Sequence, residues 1–231
     1  MKLVVFGANG PTGRLTTEMA LARGHAVTAV TRRPEPFPIS GTNLRVVRAD
    51  AMDAAAVDAA VAGQQAVISS LGIGYTKETV RLYSQSAANI IAAMKDHGLR
   101  RFVGVTSTGT TGEHAPGETF TYKRIVAPIL LKLGRTVYED MERMEKLVSS
   151  SGLDWTVIRP AGLFDGREVT DYQAGLGRIP GRFTSRTDLA DLLIREATEN
   201  LHLDQFIEVV TTTGAPTLRQ TFIREALHIG K

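Results

Sequence analysis

Leu3-Val4-Val5-Phe6-Gly7-Ala8-Asn9-Gly10-Pro11-Thr12-Gly13-Arg14 is the stretch whose reading decides the fold. Leu3 to Phe6 is uniformly apolar and rich in branched residues, the pattern of a strand buried on both faces. Gly7, Gly10 and Gly13 follow in the spacing G-x-x-G-x-x-G. Gly7 can take the positive φ of a tight turn, and Gly10 lets backbone approach a ligand closely. Gly13 stands where a side chain would hold the next helix off the sheet. Pro11 suits a first helical turn, because the N–H it lacks has no intrahelical partner there. Such a helix start offers free N–H groups and a positive dipole end to a pyrophosphate. Strand, glycine turn and helix together are the context that the dinucleotide-binding motif requires.

Outward from this stretch, strand and helix patterns alternate. A helix is expected over Thr12–Arg23, stopped by Gly24, and a second strand over His25–Thr31. A dinucleotide-binding unit often places an acidic residue near the end of that strand to hold the ribose 2′-hydroxyl. Here Thr31 is followed by Arg32 and Arg33. Guanidinium is shaped to bind a 2′-phosphate that a carboxylate would repel. Arg32, helped by Arg33, is therefore read as a selector of NADP(H) over NAD(H). After a Pro/Gly-rich loop at 34–43, Leu44–Ala49 reads as the third strand, with Asp50 at its end. The Asp50 carboxylate could meet an adenine amino group, or it could cap the short alanine-rich helix that follows and ends near Gly63.

Gln65–Ser70 is the fourth strand, running into Leu71-Gly72, and a long helix is expected over Thr79–His97. Phe102–Thr106 is the fifth strand, with Ser107 at a carboxyl strand end, where open α/β sheets bind ligands. Residues 108–122 read as a loop over the site. Helical pattern returns over Lys123–Leu133 and Val137–Ser150, the latter with Asp140 and Glu145 expected on a solvated face. Trp155–Arg159 is the sixth strand, followed by Pro160-Ala161-Gly162, and 164–184 reads as a substrate-side segment. A helix over Thr187–Thr198, a strand over Phe206–Val210 and a closing helix over Pro216–His228 complete the pattern. The alternation, with neither linker nor internal repeat, predicts one domain over 1–231. Its fold class is α/β, a doubly wound parallel sheet of Rossmann type with helices on both faces. Substrate-side segments are expected around 108–122 and 161–184.

Composition narrows the function classes. The chain has 231 residues, 43% of them hydrophobic, a net charge of +3 and no cysteine. Disulfides, thiol nucleophiles and thiolate metal sites are thereby excluded, and no metal site is expected. No apolar run reaches the roughly 20 residues of a membrane span, and the first residues lack a secretory pattern. We expect a cytoplasmic protein whose partner is a small molecule, neither a membrane nor a nucleic acid; the basic residues are scattered rather than set in a stripe. The oligomeric state is left open.

Three features carry a family resemblance: Gly7–Gly13, the hydroxyls at Ser107, and Ser151-Gly152-Leu153-Asp154-Trp155-Thr156-Val157-Ile158-Arg159-Pro160. In them the chain resembles the atypical short-chain dehydrogenase/reductases. Within that superfamily it looks like the NAD(P)-binding group of NmrA-like proteins and flavin reductase/biliverdin-IXβ reductase enzymes. The stretches Val61–Ile68 and Ala88–Lys95 are similar to the latter. The resemblance implies cofactor contacts at Gly7, Asn9, Gly10, Pro11, Thr12, Gly13, Arg32, Arg33, Asp50, Leu71, Gly72, Thr106, Pro160, Ala161 and Gly162, with Ser107 near the nicotinamide. Two departures stand out. No Tyr-x-x-x-Lys pair is present, since Thr79, Ala87, Val126, Glu142 and Leu176 stand four residues after the five tyrosines. Gly162 replaces the histidine that lines the flavin reductase pocket.

Without that pair, catalysis would rest on holding an acceptor over the nicotinamide, with a proton from solvent, Ser107 or His114. Ser107, Tyr122 and Tyr138 are the candidate catalytic or pocket residues. Three functions fit: an NADPH-dependent reductase of a flavin, quinone or related conjugated carbonyl; an NADP(H)-binding sensor without turnover; or a small-molecule ketoreductase or epimerase.

Overall fold

The structure is a computed structural model that describes residues 1–33 and 37–214. In chain order its first half runs β1 (Lys2–Phe6), α1 (Pro11–Ala22), β2 (Ala26–Thr31), β3 (Leu44–Arg48), α2 (Ala54–Val61), β4 (Ala66–Ser69), α3 (Leu82–Asp96) and β5 (Arg101–Val105). The second half runs α4 (Ala127–Leu133), α5 (Arg135–Ser149), β6 (Asp154–Pro160), β7 (Gly162–Phe164), β8 (Gln173–Gly175), β9 (Phe183–Ser185), α6 (Arg186–Glu199) and β10 (Gln205–Val210). The expected helix over Pro216–His228 lies outside the described residues.

The sheet has eight strands in the order β3-β2-β1-β4-β5-β6-β10-β8, parallel except where β8 runs against β10. The uniform apolar character of β1 follows from its place inside this sheet, with Leu3 opposite Val27 on β2 and Ala66 on β4. Val4 and Phe6 face one core, with Val57, Ile90, Met94, Met144 and Val148 from α2, α3 and α5. Leu3 and Val5 face the other, with Ala20, Leu189 and Leu193 from α1 and α6. Each such side chain, fully removed from water, contributes about 1.5–3 kcal/mol. Strand order reverses between β1 and β4, so a crevice opens beyond their carboxyl ends.

Four local outcomes differ from the sequence reading. The long helix starts at Leu82 rather than Thr79, because Arg81 takes a non-helical φ of −135° and has no side chain suited to capping. Its first N–H groups are met from α5: the Asp140 carboxylate accepts from Tyr83 N at 2.8 Å and from the Ser84 hydroxyl. Asp140 and Glu145 are therefore buried, not on a solvated face. Glu145 accepts from Thr106 Oγ1 at 2.7 Å and from Arg159 Nε and Nη2 at 2.9 and 2.7 Å. The segment 164–184 holds short strands: β8 pairs with β10 at the sheet's edge, and β9 pairs with β7 in a separate two-stranded sheet; three residues are too few for a periodicity to show.

The expected helix over Lys123–Leu133 opens as a wide π-turn, Tyr122–Val126, before α4. Pro128 has no N–H for the carbonyl of Arg124, and Ala127 N–H instead bonds the carbonyl of Tyr122, five residues back.

Candidate active-site cleft

A cleft of about 1120 Å³ opens at the carboxyl ends of β1, β2, β4, β5 and β6. Its floor begins at the glycine turn. Gly7 has φ +78°, and a Cβ there would come within 2.9 Å of the Ser70 carbonyl group. Gly10 accepts no such argument from its backbone, whose φ of −74° suits any residue. What it provides is space, along with a turn closed by Gly10 N–H to the Gly7 carbonyl at 2.9 Å. At Gly13 a Cβ would lie 2.2 Å from the Gly7 carbonyl oxygen and 2.8 Å from Ala8 Cα, so α1 can sit against the turn only with glycine there. No side chain caps the start of α1, which leaves its first N–H groups and dipole facing the cleft.

Asn9 ties this turn to the exit of β2. Its Oδ1 accepts from Arg14 Nε and Nη2 at 2.9 and 2.6 Å, and its Nδ2 donates to the Arg33 carbonyl at 3.1 Å. Arg32 and Arg33 are both exposed at the cleft wall, and neither guanidinium bonds an acidic side chain among the described residues. Asp50 also reaches the wall; its carboxylate accepts from Met52 N at 3.0 Å, while Asp53 caps α2. The helix-capping alternative for Asp50 is thereby taken by its neighbour.

Farther along the cleft, Thr106 is fixed from beneath by the Glu145–Arg159 ion pair, and the Arg159 guanidinium lies 4.4 Å from the centroid of the Phe206 ring. Ser107 follows at the strand end. Its hydroxyl accepts from Gly109 N at 3.1 Å, capping a single 3₁₀ turn. That leaves its O–H free to donate, and the Tyr138 phenol lies within its reach. Tyr138 in turn shares a 2.6 Å bond with the Tyr75 hydroxyl. Burial, then the bond to Tyr75, raises the Tyr138 pKa well above that of a free phenol, and the nearby Ser107 hydroxyl opposes this. Among the described residues, no cation bears on the Tyr138 phenol as the missing lysine would.

The far wall comes from Glu118, Tyr122, Val126, Ala127, Leu130 and Leu131 and from the segment after β7. Arg182 stacks its guanidinium 4.8 Å from the Tyr122 ring centroid. Burial raises the Tyr122 pKa, as does Glu118, against the opposing charges of Arg182 and Arg178. His114, exposed at its edge, bonds Glu118 at 3.0 Å.

Gly7, Asn9, Gly10, Pro11, Thr12, Arg32, Arg33, Asp50, Leu71, Gly72, Thr106, Ser107, Pro160, Ala161 and Gly162 all line this one cleft, as do Tyr122 and Tyr138. Gly13 does not line it and instead lets α1 pack against the turn. Two participants escaped the sequence reading. Tyr75 lies 63 positions from its partner, and Arg182 lies in a segment without periodicity, so neither leaves a local signal.

No group of acidic, histidine or cysteine side chains among the described residues could hold a metal ion. No helix among them is long and apolar enough to cross a membrane.

Known proteins resemble the chain over nearly its whole length. A protein of Mycobacterium bovis, uncharacterised, is 26% identical over all of this chain, which spans only 23% of that relative's length. An uncharacterised chloroplastic protein of Arabidopsis thaliana is 33% identical, covering 93% of this chain and 78% of its own. Among solved structures, an anaerobillin reductase of Escherichia coli O157:H7 superposes with a TM-score of 0.75 at 24% identity, over 94% of this chain and all of that one. The model of the NAD(P)H-binding family matches residues 7–200, from the first glycine of the turn to the end of α6, and the chain belongs to that family.

Proposed function

We propose that this protein is an NADPH-dependent reductase that passes hydride to a flavin, a quinone or a related conjugated carbonyl compound. The observation that carries the reading is the cleft: an uncapped helix start and glycine turn at one end, two exposed arginines beside them, and hydroxyl and aromatic groups at the other end. Its volume of about 1120 Å³ exceeds the 300–1000 Å³ usual for a single drug-sized ligand, which suits a dinucleotide with an acceptor beside it.

The residues present fit a dinucleotide on structural grounds, since Gly10 leaves the turn bare and no side chain caps the start of α1. Bound NADPH would supply the hydride. The chain's own part is to orient and exclude: Arg32 and Arg33 hold a 2′-phosphate, α1 faces the pyrophosphate, and Ser107 donates a hydrogen bond at the reacting end. Tyr138 stays protonated at any physiological pH, so it serves as a hydrogen-bond donor and wall rather than a ready acid. The proton then comes from solvent.

The second reading, an NADP(H) sensor without turnover, is favoured by one observation: among the described residues, no cation stands beside Tyr138 to make it acidic. NADPH oxidation with a panel of flavins and quinones, set beside direct NADP binding, separates the two. Turnover on any of them supports the reductase; tight binding with no turnover supports the sensor. The ketoreductase or epimerase reading loses weight for want of the Tyr/Lys pair.

A further inference from the structure

We infer that the outer face of the segment Thr119–Leu133 is a docking surface for an anionic lipid bilayer. This segment, the π-turn and α4, contains no buried residue. Its inner side chains Val126, Ala127, Leu130 and Leu131 line the cleft. Its outer ones are apolar as well: Phe120 is 75% exposed, Ile125 56%, Ile129 53% and Leu133 55%. Helical spacing sets Ile125, Ile129 and Leu133 along one stripe. Isolated apolar residues on a surface need no explanation, but a contiguous stripe on a helix with so little packing marks an interaction surface.

Charge decides between the possible occupants. Between Thr119 and Tyr138 there is no acidic residue, while Lys123, Arg124, Lys132 and Arg135 are basic. Arg135 is held by Glu139; the other three make no ion pair among the described residues. A second copy of the chain would bring the same positive charges to a two-fold interface, opposing association. An anionic bilayer accepts both features, since apolar side chains sink into the acyl boundary while lysine and arginine stay at the headgroups. Scanning for spans misses such a helix, because it lies in the interface instead of crossing it. If the cleft is the reductase site proposed above, this docking would bring it beside apolar acceptors dissolved in the bilayer, since the same segment's inner side chains line the cleft; the surface itself does not depend on that reading.

The test is cosedimentation of the full chain with vesicles of phosphatidylcholine alone and of phosphatidylcholine with phosphatidylglycerol, at low and high salt. We expect binding to the anionic vesicles that weakens with salt, and little to the neutral ones. Near an anionic surface each basic side chain contributes about fivefold in affinity. Lys123→Gln/Arg124→Gln/Lys132→Gln should therefore lower binding about hundredfold. Ile125→Ser/Ile129→Ser/Leu133→Ser, all at exposed positions, should abolish it without changing the melting temperature or NADPH binding. Failure of the wild type to bind either vesicle overturns the inference, as does binding that survives both variants. A concentration-dependent dimer in ultracentrifugation that the serine variant dissolves, without vesicle binding, assigns the face to a second copy instead. Vesicle binding by a wild type that oxidises NADPH with no flavin or quinone would count against the reductase reading alone.

Discussion

At the scale of single residues, glycine serves three different needs within seven positions. Gly7 needs its positive φ, Gly13 needs the absence of a Cβ against backbone, and Gly10 needs only room. Gly10→Val thus leaves the backbone unstrained, and its Cβ would meet the Gly7 carbonyl oxygen at a tight but tolerable 3.2 Å. We expect a folded protein, less stable by about 1–3 kcal/mol, that no longer binds NADPH; circular dichroism and a fluorescence titration check both halves. Ser107 permits a sharper distinction. Its hydroxyl already caps a turn, and a positioning hydrogen bond is worth about 0.5–1.5 kcal/mol. We expect Ser107→Ala to slow single-turnover hydride transfer about tenfold while NADPH affinity stays within a few fold. A loss beyond roughly a thousandfold would make it an essential acid.

At the scale of elements, the site rests on carboxylates that look like surface residues in the sequence. In Arg135–Ser149 the acids are interleaved with basic residues, which reads as a solvated face. Yet Asp140 caps α3 across a helix interface, and Glu145 joins β5 to β6 under the cleft. These are long-range pairings, and hydrophobic periodicity carries no information about them. The parallel strands of the main sheet and the glycine turn were legible because their signals are local: apolar runs four to six residues long, punctuated by glycine; the three-residue strands β7, β8 and β9 were not. Tyr75 and Arg182 were not, since tertiary structure alone brings them to the wall. Glu145→Gln tests the importance of the buried pair. Removing one partner strands a charge, which typically costs about 3–5 kcal/mol; Arg159 retains some water contact, so the lower figure is expected. Urea unfolding should show a lower midpoint with an unchanged slope. An unchanged midpoint would mean the pair contributes nothing net.

Across the whole molecule, the sheet reversal, the glycine turn and the β2 exit bring two exposed arginines and the open helix start into one cleft. The central claim is that this cleft holds NADPH for hydride transfer, with Arg32 selecting the phosphorylated cofactor. A charge-assisted hydrogen bond contributes about 1.5–3 kcal/mol, or roughly 10- to 150-fold. The most direct measurement is the single-turnover oxidation of NADPH and of NADH by wild type and Arg32→Ala, with a flavin or quinone acceptor over a range of cofactor concentrations. The account predicts that wild type oxidises both, half-saturating at 10- to 150-fold lower NADPH than NADH, and that the substitution removes this gap by weakening NADPH alone. Oxidation no faster than without protein, or an equal loss for both cofactors, would contradict it.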